Sequence, residues 1–242
     1  MKLQKALILA RKELYTLSNS PAFYGVTLFF ILFCSIWFFY IQRFFTMNLA
    51  SFRSYFASFP IVFIVIIPMI TMKSWAEERS LGSIELLLTL PFSEWDLVLG
   101  KFLSCLGVVA ALLLLSLPVP LSILPLGDFD IGVIAGEYAG ALLLGASASG
   151  LGLLLSSLSK NQAGAFLGSA AVLLVTMLIN QFAISFDLPA FLADFCNFIS
   201  LSFHFESFSK GIIDSRDLAF FIIITVLFLF LNTKVILFRK WR

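Results

Sequence analysis

The stretch "PIVFIVIIPMITMKSWAEERSLGSIELLLTLPFSEWDLVLGKFLSCLGVVAALLLLSL", residues 60–117, decides the fold class. It joins two apolar runs through one charged segment, 72–102, which holds five of the chain's fourteen carboxylates. Apolar runs of this length are typical of helices that cross a bilayer. The charged segment between them is therefore expected to lie at a membrane surface.

Composition indicates that lipid surrounds most of the chain. Of 242 residues, 60% are hydrophobic, 12% are charged and 29 are Phe, which is outside the range of soluble globular domains. A hydrocarbon layer about 30 Å thick needs roughly 20 apolar residues per helix. Such runs occupy more than half of the chain, which leaves no room for a soluble catalytic domain.

Six membrane spans are predicted. They cover residues 22–41, 56–72, 97–117, 131–155, 163–184 and 218–237. The second run is short and contains Pro60 and Pro68, which favours a kink or a re-entrant stretch. The predicted fold is an all-α integral membrane protein with a single transmembrane domain over residues 1–242, and with short outer helices before the sixth span.

The Lys and Arg residues predict the orientation. With the N-terminus in the cytoplasm, twelve of the sixteen basic residues fall in inner segments and four in outer segments. Both termini are therefore predicted to be cytoplasmic. The N-terminal segment lacks a small-residue cleavage pattern and is not expected to be a cleavable signal.

Residues 1–20 are expected to form an amphipathic helix in the inner interface. Leu3, Leu7, Ala10, Leu14 and Leu17 share one helical stripe. After this helix, Ser20 and Pro21 are typical of an N-cap and a first helical residue, which predicts where the first span begins.

The charged segment contains a short helix, predicted over 80–90, with a defined start and end. Ser83 is its expected N-cap and Pro91 prevents its continuation. Ser93 and Asp96 then form a capping box for the next helix, which leads into the third span. Two interpretations remain open from these patterns alone: a helix that binds a cytoplasmic partner through exposed charges, or a loop that only fixes topology.

Three blocks of sequence resemble the type-2 ABC transporter permeases. They are "MKSWAEERSLGSIELLLTLPFSEWDLVLGKFL", "SSLSKNQ" and "SFHFESFSKGIIDSRDLAFF", which start at Met72, Ser156 and Ser202. Within that family the likeness is greatest to the permease subunit associated with gliding motility. The likeness does not cover residues 42–55 or much of 187–199, so no substrate contact is transferred there.

The resemblance implies a coupling helix at 80–90 that docks on a cytoplasmic ABC ATPase subunit, which binds ATP and Mg. The expected contacts to that subunit are Glu77, Glu78, Arg79, Gly82, Ser83 and Glu85. It also implies a second permease copy or a related membrane subunit, such as one with a large outer domain. The expected location is the bacterial inner membrane, and no nucleic-acid partner is expected.

This chain is not expected to bind ATP itself. Its only Gly-Lys pair, Gly100-Lys101, is followed by Phe and lacks the earlier glycine of a phosphate-binding loop. The sequence also lacks the paired residues of an intramembrane enzyme. No cofactor of its own is therefore expected.

Small residues at four-residue spacing predict close helix packing, within the chain or between two copies. They are Gly132, Gly136 and Gly140 in the fourth span, and Gly164 and Gly168 in the fifth.

Three kinds of polar or reactive residue carry no site prediction. Glu137 is expected at the interface, because its span is long enough to shift outward. His204 is expected on an outer amphipathic helix, and one histidine without companion ligands is poor support for a metal site. Cys34, Cys105 and Cys196 are interpreted as structural.

The leading hypothesis is the permease subunit of an ATP-driven exporter. An ion-coupled secondary transporter and a non-transporting complex driven by an ATPase are the alternatives. Ion-coupled transporters carry ionisable residues deep in their spans or broken helices in inverted repeats. The predicted spans hold almost no such residues, which disfavours the first alternative.

Overall fold

The computed structural model describes residues 2–47, 51–83, 85, 92–186, 189–212 and 214–240. Over these ranges the chain is helical and contains no β-strand, as expected for an all-α membrane protein. The helices are α1 Lys2–Ser18, α2 Pro21–Ile36, α3 Phe44–Met47, α4 Arg53–Phe56, α5 Phe59–Ser80, α6 Glu94–Ser116, α7 Pro118–Ile123, α8 Ile131–Leu158, α9 Gln162–Ser185, α10 Ala190–Ile199, α11 Leu201–Ser209 and α12 Ser215–Lys240. A π-helical turn, Trp37–Ile41, continues α2, and a 3₁₀ turn, Leu124–Leu126, follows α7.

Six of these helices are long and apolar enough to cross a membrane, which confirms the predicted number. They are α2, α5, α6, α8, α9 and α12, each extended where short turns continue it. We call the end of the bundle where α2 begins and α5 ends the basic end. The other end is the opposite end.

The second span is longer than predicted and is not re-entrant, whereas the kink that its prolines favour stays a prediction. In place of a short or re-entrant stretch, α5 is one continuous helix from Phe59 to Ser80, with Pro60 in its first turn and Pro68 in its interior. Proline in the first turn removes no intrahelical hydrogen bond. The helix continues past the apolar run because Lys73, Glu77 and Arg79 do not interrupt it.

Helix α1 packs along α6, and the face that it buries matches the predicted stripe at Ala10 and Leu14 but not at Leu7. Ala6, Leu9 and Ala10 are buried, whereas Leu7 is 53% exposed. A methyl group built on Gly100 would lie 2.7 Å from Leu9 Cδ2, and one on Gly107 would lie 3.0 Å from Leu14 Cδ1. The two glycines of α6 therefore let α1 approach closely, through Leu14 of the predicted stripe and through Leu9 beside it.

Helix α8 lies at the centre of the bundle and contacts α5, α6, α9, α11 and α12. Small residues along α8 make these approaches close. A methyl group built on Gly145 would lie 2.6 Å from Val109, and one on Gly152 would clash with Thr71. Helices in membranes associate through such small-residue contacts because lipid provides little hydrophobic drive between them.

Aromatic packing closes the opposite end of the bundle. Phe52 stacks on Phe38 with ring centroids 5.7 Å apart and lies 4.6 Å from Phe129. The short helices α10 and α11 precede the sixth span, as predicted. The residues that carry the candidate site lie at the basic end.

Candidate coupling site and the buried charges behind it

Helix α5 ends in a glycine turn at the start of the charged segment. Gly82 has a φ of +70°, and its N–H donates to the Arg79 carbonyl at 3.2 Å while the Leu81 N–H donates to the Glu77 carbonyl at 3.0 Å. Glycine is favoured at this position because other residues rarely adopt positive φ. A methyl group built on Gly82 meets no atom within 4 Å. The glycine is thus required by the backbone conformation and not by the approach of another part of this chain.

Only the first part of the predicted helix over 80–90 lies within the described residues. Ser80 is the last residue of α5, so this helix cannot begin at Ser80. The Ser83 hydroxyl donates to the Glu78 carbonyl at 3.2 Å, which ties the segment back to α5. Ile84 and residues 86–91 lie outside the described residues, and the coupling helix itself stays a prediction.

The segment ends at the predicted capping box, which the structure confirms. The Asp96 N–H donates to Ser93 Oγ at 3.2 Å, and the Ser93 N–H donates to Asp96 Oδ2 at 3.1 Å. Two N–H groups that the start of α6 leaves without helical partners are thereby satisfied. Residues 81–92 therefore join two helices whose ends have defined geometry.

The expected exposure of the charged residues Glu77, Glu78 and Arg79 was wrong, since all three are half-buried in the last turn of α5. The Arg79 guanidinium donates to the carbonyl oxygens of Leu158 at 3.4 Å and Ser159 at 2.9 Å, at the end of α8. A cation is favourable at this position because the last carbonyls of a helix carry partial negative charge. Arg79 thus joins α5 to α8.

Lys101 forms a buried charge cluster that sequence reasoning missed. Its side chain is 2% exposed, and Nζ lies 2.6 Å from Glu78 Oε1 and 3.4 Å from Glu13 Oε1. Nζ also lies 4.8 Å from the centroid of the Trp75 ring, within the range of a cation–π contact. One ammonium therefore connects α1, α5 and α6.

A signal for this cluster was present in the sequence. Lys101 falls inside the predicted third span, and a charged residue within a span is expected to have a partner of opposite charge. Lys101 was interpreted only as one of the inner basic charges and as part of the Gly100-Lys101 pair. The pairing itself was not readable, because Glu13 lies 88 residues away along the chain.

A serine hydroxyl adds a second link between α8 and α5. Ser156 Oγ accepts from the N–H groups of Trp75 at 3.2 Å and Ala76 at 3.3 Å, and it donates to the Met72 carbonyl at 3.3 Å. Met72 and Ala76 are i and i+4 partners in an α-helix. The hydroxyl of α8 thus enters the hydrogen-bond pattern of α5 near its end.

The five glycines expected in helix packing have different environments. Gly132 and Gly164 lie beside N-cap side chains, and their N–H groups donate to Asp130 Oδ1 and Asn161 Oδ1, each at 2.8 Å. Gly136 is buried. A methyl group built on Gly140 would lie 2.6 Å from Phe208 of α11, whereas one on Gly168 would meet nothing within 4 Å.

Two polar residues are more buried than expected. Glu137 is 1% exposed and packed among helices, and its Oε1 has no hydrogen-bond partner among the described residues, while its depth in the membrane stays a prediction. His204 is also buried, with Nδ1 2.6 Å from Asp217 Oδ1 and Nε2 3.3 Å from the Phe198 carbonyl. Among the residues that the structure describes, no group of His, Cys, Asp and Glu side chains could hold a metal ion.

Comparison with known proteins identifies relatives of this chain and its family. A curated relative, named "Probable multidrug ABC transporter permease YbhR" in Escherichia coli strain K12, is 28% identical over 147 residues. The match covers 60% of this chain and 39% of that relative, and its counterpart in E. coli O157:H7 gives the same values. The chain thus matches about two fifths of the length of these relatives. A family model described as "ABC-2 family transporter protein" matches residues 7–238, nearly the whole chain, and the chain belongs to that family.

Proposed function

We propose that this chain is the membrane-spanning permease subunit of an ATP-driven exporter. A separate cytoplasmic ABC ATPase subunit binds ATP and Mg, and its docking surface is the segment between α5 and α6. A second permease copy or a related membrane subunit completes the transporter. Family membership and the likeness to a named ABC permease support this proposal.

The observation that carries the proposal is the way the two ends of the segment connect to the bundle. At its start, Glu78 binds Lys101 and Arg79 binds the end of α8. At its end, the Ser93 capping box fixes the start of α6, and Lys101 lies two turns further along that helix. A force that displaces residues 81–92 would therefore act on α1, α5, α6 and α8 together.

The segment is suited to the transmission of motion because its anchors are rigid. Packed helices and charged hydrogen bonds have discrete arrangements and do not deform continuously. Closure of two ATPase subunits on ATP would move the segment, and the four attached helices would move with it. Reopening after hydrolysis would reverse the movement.

Charge and backbone changes in the segment test this function. We expect Glu85→Arg and Gly82→Val to leave the chain inserted and folded, but to reduce co-purification of the ATPase subunit or to uncouple ATP hydrolysis from transport. Gly82→Val forces a β-branched residue into positive φ, whereas Gly82→Asn tolerates that conformation and should retain function. Glu85 is exposed, so reversal of its charge should act on a partner and not on the core.

The matched control is Asp128→Arg, a charge reversal at an exposed carboxylate of the opposite end. It should leave ATPase association unchanged. Wild-type association and wild-type transport in both Glu85→Arg and Gly82→Val would show that residues 81–92 form only a topological loop, and would overturn the proposed docking surface.

Glu137 favours a second candidate function, ion-coupled transport. A carboxylate buried within a span and without a hydrogen-bond partner is a feature of ion or proton pathways. Proteoliposomes that contain the permease and the ATPase subunit separate the candidates. ATP-dependent uptake into inside-out vesicles without an ion gradient supports the exporter, whereas gradient-driven uptake without ATP that Glu137→Gln abolishes supports the ion-coupled transporter.

The cargo and the biological role are finer proposals. The relatives carry the words "multidrug" and "permease" in their name, which favours a small-molecule cargo. A role in gliding motility, a partner with a large outer domain, and a complex that uses ATP without transport stay predictions. The proposed location is the bacterial inner membrane with both termini in the cytoplasm.

A further inference from the structure

A cavity of about 310 Å³ lies at the basic end, between the α1–α2 junction, α5 and α6. One part of its wall carries charged side chains. They are Glu13, Lys73, Glu77, Glu78 and Lys101. The cavity is separate from residues 81–92 except at Leu81, so the docking surface does not account for it.

The charges in this wall do not balance. Three carboxylates face two ammonium groups, and Lys101 already contacts both Glu13 and Glu78. Glu78 Oε2 is buried and has no hydrogen-bond partner among the described residues. Burial of an acceptor without a donor is costly. The wall therefore has excess negative charge and an acceptor that a bound N–H group would satisfy.

Glu77 provides the second negative group. It lines the same cavity, and no side-chain ion pair or hydrogen bond joins it to another of the described residues. It lies next to Glu78 on the last turn of α5. Neither Lys101 nor Lys73, which lies one helical turn earlier and lines the same cavity, is within ion-pair distance of Glu77, so its charge is left for a ligand or for solvent.

Apart from the hydroxyl residues Thr16, Ser20 and Ser74, the remaining wall is apolar, and it extends toward the hydrocarbon region. It includes Phe23 and Val26 of α2, Met69 and Ile70 of α5, and Val108 of α6. A site with a charged part and an apolar part fits a molecule that has the same two parts. Ala22, at the start of the first span, also lines the cavity and is exposed, which places an opening where the predicted inner leaflet meets the protein.

We propose that this cavity binds a small amphiphilic cation that carries N–H donors. Its charged nitrogen lies against Glu77 and Glu78 Oε2, and its apolar body lies between α2, α5 and α6. The cation enters from the inner leaflet at Ala22. That the bound cation is cargo rests on the proposed exporter function, whereas the binding itself does not.

A pair of probes that differ in charge tests the site. 9-Aminoacridine is a flat, fluorescent cation with N–H donors at neutral pH, and acridine has the same ring system but is neutral there. Both are titrated against the full chain in nanodiscs of zwitterionic phosphatidylcholine, without the ATPase subunit. We expect saturable binding of 9-aminoacridine, at least about tenfold tighter than that of acridine, because a nearby carboxylate favours the cation.

Two variants locate the binding. Glu77→Gln keeps the shape of the cavity and removes one negative charge, and should weaken the affinity for 9-aminoacridine about tenfold while leaving that for acridine within about twofold. Ala22→Trp keeps every charge and fills the entrance, and should weaken the binding of both probes. Glu206→Gln, at an exposed carboxylate of the opposite end, is the control and should change neither affinity.

The proposal is overturned if 9-aminoacridine shows no saturable binding, if both probes bind equally well, or if Glu77→Gln and Ala22→Trp both bind 9-aminoacridine as the wild type does. Failure of the exporter function gives a different pattern. Binding would then follow these expectations in nanodiscs, but ATP would not drive movement of 9-aminoacridine in proteoliposomes that contain the ATPase subunit.

Discussion

At the scale of single residues, Lys101 links three helices of the basic end through contacts that no local sequence pattern predicts. The whole residue is 1% exposed, and its ammonium lies between the carboxylates of Glu13 in α1 and Glu78 in α5. Removal of one member of a buried charge group leaves the others without compensation, which costs more than the group contributes as a whole. The cluster therefore specifies how α1, α5 and α6 fit together.

We predict that Lys101→Met lowers the free energy of unfolding by about 1–3 kcal/mol, because Glu78 and Glu13 then lose their cation while they stay partly buried. Equilibrium unfolding of the purified chain in mixed micelles, titrated with a denaturing detergent, measures this change. Lys73→Met serves as the control, since Lys73 lines the same cavity without an ion pair among the described residues.

A double-mutant cycle then separates charge from packing. Addition of Glu78→Gln to Lys101→Met should cost less than the sum of the two single changes, because the second substitution removes a carboxylate that the first left unpaired. Additive costs would contradict direct coupling between the two side chains.

The residues that could be predicted are those whose partners are close in sequence. Gly82 and the Ser93–Asp96 capping box depend on neighbours within four residues, and their conformations follow from local rules. Lys101 with Glu13, and His204 with Asp217, form only after helices assemble. No local pattern identifies the second member of such a pair.

At the scale of elements, hydropathy predicted which helices cross the membrane but not where α5 ends. The apolar run stops near Met72, whereas the helix continues to Ser80 and closes at Gly82. Hydropathy reports the surrounding solvent, and helix ends are set by capping residues. The buried face of α1 was predicted only in part for a related reason, because Gly100 of α6 admits Leu9, which lies beside the stripe, whereas Gly107 admits Leu14 of the stripe itself.

Two glycines of neighbouring spans provide a matched test of helix packing. We predict that Gly140→Ala destabilises the chain by about 1–3 kcal/mol, because the new methyl group would overlap Phe208 and displace α11. Gly168→Ala places the same methyl group in open space and should be neutral or stabilising by up to about 1 kcal/mol through helix propensity. Thermal unfolding of both variants in the same detergent measures the difference.

Equal shifts of the unfolding midpoint in the two variants would have one of two explanations. Either α11 moves to accommodate Gly140→Ala at no cost, or another permease copy covers Gly168. The second outcome has its own signature. If another permease copy packs on Gly168, Gly168→Ala should lower the dimer fraction in chemical cross-linking while the monomer keeps its unfolding midpoint.

At the scale of the whole molecule, the two ends of the bundle are held by different kinds of contact. The basic end holds the Lys101 ion pairs and the charged cavity, whereas the opposite end is closed by aromatic stacking and short helices and has the Arg53–Glu206 and His204–Asp217 contacts. Helix α8 joins the two ends, with Gly140 against α11 and Ser156 against α5. Movement at the basic end can therefore reach the opposite end through one helix.

The purified chain should neither bind nor hydrolyse ATP above background, because the sequence has no phosphate-binding loop. Release of inorganic phosphate, measured with and without the ATPase subunit, checks this prediction. Turnover by the isolated chain that persists when any co-purifying ATPase carries a disabled phosphate-binding loop would contradict it.

The orientation of the whole molecule follows from the number of spans and the distribution of basic residues. Six spans place both termini on the same side of the membrane, and twelve of sixteen basic residues then lie on that side. Because basic loops are retained in the cytoplasm, the termini and the segment after Gly82 should be inside. Alkaline phosphatase, which is active only outside the cytoplasm, should be active when fused after Leu126, and a green fluorescent protein fused after Arg242 should fluoresce. The reverse pattern would place Gly82 outside, where no cytoplasmic ATPase subunit could reach it.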